Sequence, residues 1–158
     1  MNKFFKILTF FFLIFIVSAC SYEQIFFKKN YDFKIEEIIL SGDKNVNSII
    51  DSKLKFFGNN SENYNKIYLL NIYTDKRKRI ISKDSKGNPL KFEISITTSY
   101  EVMDLEKTLI KRIINKKNNY NNESDKFKLE QSEKIIVENL SERIVEEIIS
   151  SLINLNDS

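Results

Sequence analysis

A stretch of alternating residues, 90–102, places the strongest constraint on what this chain can fold into. Apolar side chains recur along it at Leu90, Phe92, Ile94, Ile96, Tyr100 and Val102, and polar ones lie between them at Lys91, Glu93, Ser95, Thr97, Ser99 and Glu101. A strand with this period has one apolar face and one polar face. The sequence therefore predicts a sheet that is covered on one side and exposed to water on the other.

A strand and a helix are predicted before this stretch. Residues 33–40 favour a strand, and the pair Glu36 and Glu37 interrupts its alternation, which indicates a bulge or an edge position. The following apolar residues have helical spacing: Val46, Ile49, Ile50, Leu54 and Phe57. Asp43 or Asn45 is expected to cap this helix.

Two further strands and a long helix complete the predicted elements. Residues 67–81 favour a strand that a turn at 86–89 joins to the alternating strand, so the two form a long hairpin. Residues 108–120 fit either a fourth strand or a helical turn. A final helix is expected over 129–153, with an apolar stripe at Val137, Leu140, Ile144, Ile148 and Leu152.

The order of these elements predicts an α+β fold. We expect a two-layer α/β sandwich in which a mainly antiparallel four-stranded sheet carries two helices on one face, in the order β-α-β-β-β-α. A signal-peptide helix is expected to precede this domain.

The N-terminus carries the pattern of a secreted, lipidated protein. A short basic start precedes an apolar run over residues 7–17, which is too short to span a bilayer and matches a secretory signal. Val17, Ser18, Ala19 and Cys20 resemble the bacterial lipobox, in which small residues precede a cysteine that receives diacylglycerol. The alternative is an ordinary signal or membrane anchor with a chance cysteine.

The lipobox divides the chain into three parts. Residues 1–19 are the expected signal peptide, residues 20–32 a lipidated tether, and residues 33–155 the folded domain. Acyl chains on Cys20 would hold the protein at a membrane. Ser21, in place of the aspartate typical of inner-membrane retention, favours the outer membrane.

Composition argues against several function classes. The chain has no histidine and one cysteine, which removes the commonest general base and metal ligand and the Ser-His and Cys-His mechanisms. The net charge is only +3, without the clustered excess of a nucleic-acid binder. We therefore predict no catalytic residues, no metal, no cofactor and no nucleic-acid partner.

Beyond these patterns, the mature chain resembles the LPS-assembly lipoprotein LptE family. Four segments carry the resemblance: residues 35–42 as the first strand with its Gly turn, 87–100 as the second hairpin strand, 119–127 as the segment before the last helix, and 133–152 as that helix. Many members have a Gly-Phe-x-Pro stretch after the cysteine, which residues 21–25 lack.

The resemblance implies a function that involves no catalysis. Such proteins sit inside a large outer-membrane β-barrel, an LptD-like LPS-assembly protein. They assist its assembly and help deliver lipopolysaccharide to the outer leaflet. The expected location is the outer membrane, lipid-anchored and facing the periplasm or the barrel lumen.

Six basic residues are the candidate contacts for lipopolysaccharide or the barrel. Alternation predicts that Lys76 and Lys78 lie on one face of their strand and that Arg77 and Arg79 lie on the other. Arginine forks suit phosphate. The alternative is a solvated strand end that blocks aggregation. Lys83 and Lys86 are expected at the hairpin tip, which could reach a partner or be an ordinary polar turn.

Other interpretations are kept as alternatives. The first alternative is a periplasmic domain of the POTRA type, which begins with the same strand and helix. The second is an envelope enzyme, which the missing histidine disfavours. The third is a purely structural envelope lipoprotein with no transport role. The phenylalanines Phe26, Phe27, Phe56 and Phe57 are interpreted as core or tether packing groups.

Overall fold

The alternating segment lies in the third strand of a four-stranded sheet. The structure is a computed structural model, and it describes residues 33–58, 64–105 and 107–156. The elements in chain order are β1 (Phe33–Gly42), α1 (Lys44–Gly58), β2 (Lys66–Lys83), β3 (Pro89–Asp104), β4 (Lys107–Asn121) and α2 (Lys126–Asn156). The predicted α+β order β-α-β-β-β-α is confirmed, and the ambiguous segment 108–120 is a strand. The predicted signal peptide and tether lie outside the described residues.

The sheet is mixed rather than purely antiparallel. Its strands lie in the order β1-β2-β3-β4. β1 pairs with β2 in parallel, and the other two pairs are antiparallel. A parallel pair needs a crossover, and α1 supplies it. The register of β1 shifts between Ile35 and Glu37, so this strand has both the bulge and the edge position that the two glutamates predicted.

One face of the sheet and both helices enclose the core. The hydrophobic cluster includes, from the sheet, Tyr68, Leu70, Ile72, Ile94, Ile96, Tyr100 and Val102 and, from the helices, Val46, Ile50, Leu54, Leu140, Ile144, Ile148 and Leu152. Leu90 is half exposed near the end of the hairpin. Phe57 is buried, whereas Phe56 is 61% exposed, so Phe56 is not a core group. Whether it packs against the tether concerns residues outside the described ranges.

Local signals fix where the helices begin. Asp43 Oδ1 accepts hydrogen bonds from the backbone N–H groups of Asn45 (3.1 Å) and Val46 (3.0 Å), so Asp43 is the cap of α1. Asp125 Oδ1 accepts the N–H groups of Phe127 (3.0 Å) and Lys128 (3.3 Å). α2 therefore begins three residues earlier than the apolar stripe alone predicted.

The strand directions define two ends of the domain. The base comprises the starts of β1 and β2, the connection between β3 and β4, and the C-terminal ends of both helices. At the base, Lys66 Nζ donates to the carbonyl oxygens of Leu155 (3.4 Å) and Asn156 (3.2 Å), which ties the end of α2 to β2. The hairpin end comprises the β2–β3 turn and the starts of both helices.

Candidate functional site

The basic run on β2 is divided between the two faces of the sheet. On the helix side, Lys76 Nζ lies 3.2 Å from Asp43 Oδ2, and Lys78 Nζ forms an ion pair with Glu133 of α2. On the open side, which is the sheet face that neither helix covers, Arg77 pairs with Asp75 and Arg79 pairs with Glu93. All four cations therefore have a carboxylate partner, with two of the pairs on each face.

Lys78 is held in a cluster of charged and aromatic groups. Its Nζ lies 4.5 Å from the ring centroid of Phe92 and 6.0 Å from that of Tyr120, and these two rings stack at 5.6 Å. The Tyr120 hydroxyl donates a 2.7 Å hydrogen bond to Glu133 Oε1. Burial alone would raise the pKa of Glu133, but the hydrogen bonds from Lys78 and Tyr120 hold it below its usual value. These contacts fasten the first half of α2 to the hairpin.

Lys76 also has a structural role. Burial opposes ionisation of Asp43, yet the backbone N–H of Val46 and the ammonium of Lys76 lower the pKa of this carboxyl below its usual value. One carboxylate therefore caps α1 and pairs with β2. The helix-side half of the basic run is committed to joining the two layers of the fold.

The open side has the arrangement better suited to a partner. Glu93, whose side chain is only 7% exposed, accepts a 2.7 Å hydrogen bond from Arg79 Nε, and Lys117 Nζ lies 3.9 Å away. The hydrogen bond from Arg79 lowers the pKa of Glu93. Arg77 Nε donates a 2.7 Å hydrogen bond to Asp75, and the Arg77 side chain is 78% exposed. Three cations thus face two carboxylates, with one positive charge in excess.

These groups surround a shallow basin on the open sheet face. Its volume is about 710 Å³, and hydroxyl and amide side chains lie between the charges: Ser95, Thr97 and Asn115. Sequence reasoning missed Glu93 and Lys117. The signal was present in the polar half of the alternating strand, but only the register places Glu93 opposite Arg79.

The hairpin tip is a fixed turn rather than a loose loop. The Asp84 carboxylate accepts the N–H groups of Lys86 (2.9 Å) and Asn88 (2.8 Å) and the Asn88 amide (2.9 Å), and the bonds from Asn88 are the main cause of its lowered pKa. Lys83 ends β2 just before this turn, and Lys86 lies within it. Neither lysine forms an ion pair with a carboxylate of the described residues.

Exposed aliphatic side chains accompany these lysines. Ile80, Ile81 and Leu90 lie near the tip and are each about half exposed, a feature that the sequence patterns did not indicate. Cationic and apolar groups together are the chemistry that an anionic amphiphile requires. Among the described residues no cluster of carboxylates, cysteines or histidines is placed to hold a metal ion. Within those same ranges neither helix is long and apolar enough to cross a membrane.

Comparisons with known proteins support the fold. The sequence matches no protein-family model, and no curated protein matches it significantly. The structure is similar to the rare lipoprotein B from Shewanella oneidensis, at a TM-score of 0.55 and 17% identity over 76% of this chain and 98% of that one. It is also similar to an uncharacterized lipoprotein B from Nitrosomonas europaea, at a TM-score of 0.61 and 11% identity over 83% and 91% of the two chains.

A third structure agrees with these two. The minor lipoprotein from Acinetobacter baumannii has a TM-score of 0.50 and 15% identity, over 75% of this chain and 93% of that one. The chain thus has the fold of rare lipoprotein B, or LptE-type, lipoproteins of Gram-negative bacteria, which is the fold that the resemblance in sequence predicted.

Proposed function

We propose that this chain is an LptE-type outer-membrane lipoprotein that partners a large β-barrel and assists the delivery of lipopolysaccharide. The supporting observation is the fold, which extends over nearly the whole length of the rare lipoprotein B structure. The lipobox at residues 17–20 supports the lipid anchor independently, and its residues lie outside the described ranges. In this proposal the protein binds and positions its partners and is not an enzyme.

The polar open face suits the lumen of a barrel. A barrel with a water-filled interior presents polar side chains inwards, and the open sheet face around Arg77 and Arg79 presents paired charges, hydroxyls and amides towards water. Three apolar side chains, Ile39, Tyr73 and Ile113, are exposed elsewhere on the same face. The large apolar cluster of the helix side is buried, and exposed large apolar side chains on the helices are confined to Phe56, Phe127 and Ile135 among the described residues. The domain could therefore enter such a lumen without exposing its core.

The hairpin end is the proposed contact for lipopolysaccharide. Lys83 and Lys86 would bind the phosphates, and Ile80 and Leu90 would contact the acyl chains. Arg77 on the open face supplies a further exposed guanidinium. We assign Lys76 and Lys78 a weaker role in this contact because both are engaged with helix-side carboxylates.

Purification of the tagged, lipidated protein from outer membranes in mild detergent tests the proposal. A large β-barrel should co-purify, and recovery of a free monomer alone would contradict the barrel partnership. Cys20→Ser tests the anchor, because the variant should remain an unlipidated precursor. Normal acyl labelling of that variant would refute the lipobox assignment.

Titration with purified lipopolysaccharide tests the hairpin contact. The double variant K83Q/K86Q should bind at least several-fold more weakly, and the affinity of the unaltered protein should fall as salt screens the charges. K55Q/K107Q, with two exposed lysines at the base of the domain, is the matched control. Equal affinity of the two double variants would contradict a contact at the hairpin end.

A further inference from the structure

The base of the domain carries exposed apolar side chains that do not belong to the core. Leu105 is 81% exposed, Phe56 is exposed as noted above, and Tyr64 and Ile67 are about 40% exposed. The register places Ile67 and Leu105 at this end: Ile67 pairs with Lys34 near the start of β1, and Leu69 pairs with Met103, two residues before Leu105. Tyr64 precedes β2, and Lys34 Nζ lies 5.5 Å from the centre of its ring. Phe56 lies in the last turn of α1, which ends at the same end of the domain.

Leu105 is the residue that the fold explains least. β3 ends at Asp104 and β4 begins at Lys107, so two residues make the connection. Leu105 has a φ of 52°, a left-handed conformation that asparagine and glycine adopt readily and leucine does not. The backbone disfavours leucine here, and its side chain is not buried. A contact outside the domain would account for it.

The position of the tether before β1 indicates that this surface faces the bilayer. Phe33 begins β1 at the base, and thirteen positions separate it from Cys20. A fully extended tether of that length spans at most about 45 Å. A lipid at Cys20 would therefore keep the base within that distance of the bilayer, and the base is the end of the domain to which the tether connects.

The chemistry of the base fits the interfacial layer of a membrane. Aromatic rings and exposed aliphatic side chains are characteristic of surfaces that lie in this layer. Most basic residues here are engaged within the domain: Lys34 pairs with Glu36, Lys55 with Asp51, and Lys66 binds the end of α2. The contact would thus depend on apolar insertion more than on anionic headgroups.

We propose that the base is a membrane-docking surface, in which Leu105 and Tyr64 insert into the interface of the bilayer that holds the lipid anchor. This inference rests on the proposed anchoring at Cys20. It describes the lipidated protein by itself and requires no barrel partner. It also gives the domain a fixed orientation, with the hairpin end directed away from the membrane.

The chain contains no tryptophan, so a single introduced tryptophan reports its own surroundings. L105W places the probe at the base, and F127W, also on an exposed side chain, places a matched control at the hairpin end. Each lipidated variant is reconstituted in phosphatidylcholine vesicles with brominated acyl chains. The emission of L105W should be quenched at least about twofold more than that of F127W.

Flotation of the same vesicles separates the two proposals. Protein that does not float contradicts the lipid anchor. If the protein floats while a water-soluble quencher reduces the emission of L105W as strongly as that of F127W, docking is contradicted and the anchor is left intact. That second result would instead favour a protein partner at the base.

Leu105→Asn gives a test in which stability and docking change in opposite directions. Asparagine suits the left-handed turn, so the melting temperature should stay equal or rise. The quenching of a Y64W probe in the same chain should fall towards the level of F127W. I113N, which removes a side chain that is 72% exposed on the open sheet face, should leave that quenching unchanged. A lowered melting temperature, or unchanged Y64W quenching, would overturn the proposal.

Discussion

Thr74 and Thr98 are directly paired across β2 and β3 on the helix-side face, yet their hydroxyl groups have opposite surroundings. Thr74 Oγ1 donates a 2.6 Å hydrogen bond to Asn47 Oδ1 and accepts the backbone N–H of Asp43 at 3.1 Å. Thr98 is fully buried, and its Oγ1 has no hydrogen-bond partner among the described residues. One threonine joins the sheet to α1, and the other has a buried, unsatisfied hydroxyl.

This difference predicts opposite effects of the same substitution. Thr98→Val removes an unsatisfied hydroxyl and should raise the free energy of unfolding by about 1 kcal/mol, whereas Thr74→Val should lower it by about 1 to 2 kcal/mol. Urea unfolding of the two variants measures both effects. A loss of stability in T98V would show that its hydroxyl has a partner after all.

Glycine substitutions test the close approach of β1 and β2. A Cβ on Gly42, whose φ is +98°, would lie 1.9 Å from the Thr74 carbonyl oxygen, whereas one on Gly87, at φ +87°, would meet nothing within 4 Å. Gly42→Ala should therefore cost roughly 2 to 4 kcal/mol, and Gly87→Ala only about 1 kcal/mol from the strained backbone. Comparable losses in thermal unfolding would contradict the close approach of the two backbones at Gly42.

The acid stability of the domain should depend on Glu133. Its folded-state pKa lies below the usual value, so its contribution is complete above about pH 4.5 and is lost as the pH falls through the lower folded pKa. Glu133→Gln should flatten the fall in unfolding free energy between about pH 5 and pH 3. Glu138→Gln, on the exposed side of α2, is the control, and an equal effect of both variants would exclude Glu133 as the cause.

The residues of the basic run on β2 should differ in how much they contribute to the stability of the fold. Lys78→Gln removes an ion pair and a contact with an aromatic ring, both partly solvated, and should lower stability by up to about 1 kcal/mol. Arg77→Gln should change it by less than about 0.5 kcal/mol. Chemical unfolding decides between these values. If R77Q is as destabilised as K78Q, the open-face arginine also has a structural role.

Much of the architecture could be predicted because its signals are local. The alternation over 90–102 identified the buried face of β3, and Asp43 was one of two predicted caps for α1. Segment 108–120 could not be assigned from its own residues, because Leu109, Ile110, Ile113 and Ile114 fit either period. Pairing decides it: Ile110 lies opposite Val102, and Ile114 lies opposite Thr98 on the buried face.

The remaining features depend on contacts between distant parts of the chain. Nothing local to residues 33–40 shows that β1 pairs with β2 in parallel. The positions of Lys76 and Lys78 on one face followed from alternation, but their partners Asp43 and Glu133 lie in other elements. For the same reason the charged groups around Arg79 required the register of the hairpin. The lipobox and tether lie outside the described residues and stay a prediction.

The parallel pairing of β1 has a consequence for the order of folding. Ribosomes make β1 first, but its only neighbouring strand in the described sheet is β2, which follows after the whole of α1. β2, β3 and β4 join through short turns and can pair locally, whereas the pairing of β1 must close a long loop. The strand that is synthesised first is therefore the last to pair. During the interval before it pairs, the charges of Glu36 and Glu37 would discourage association with other unfolded chains.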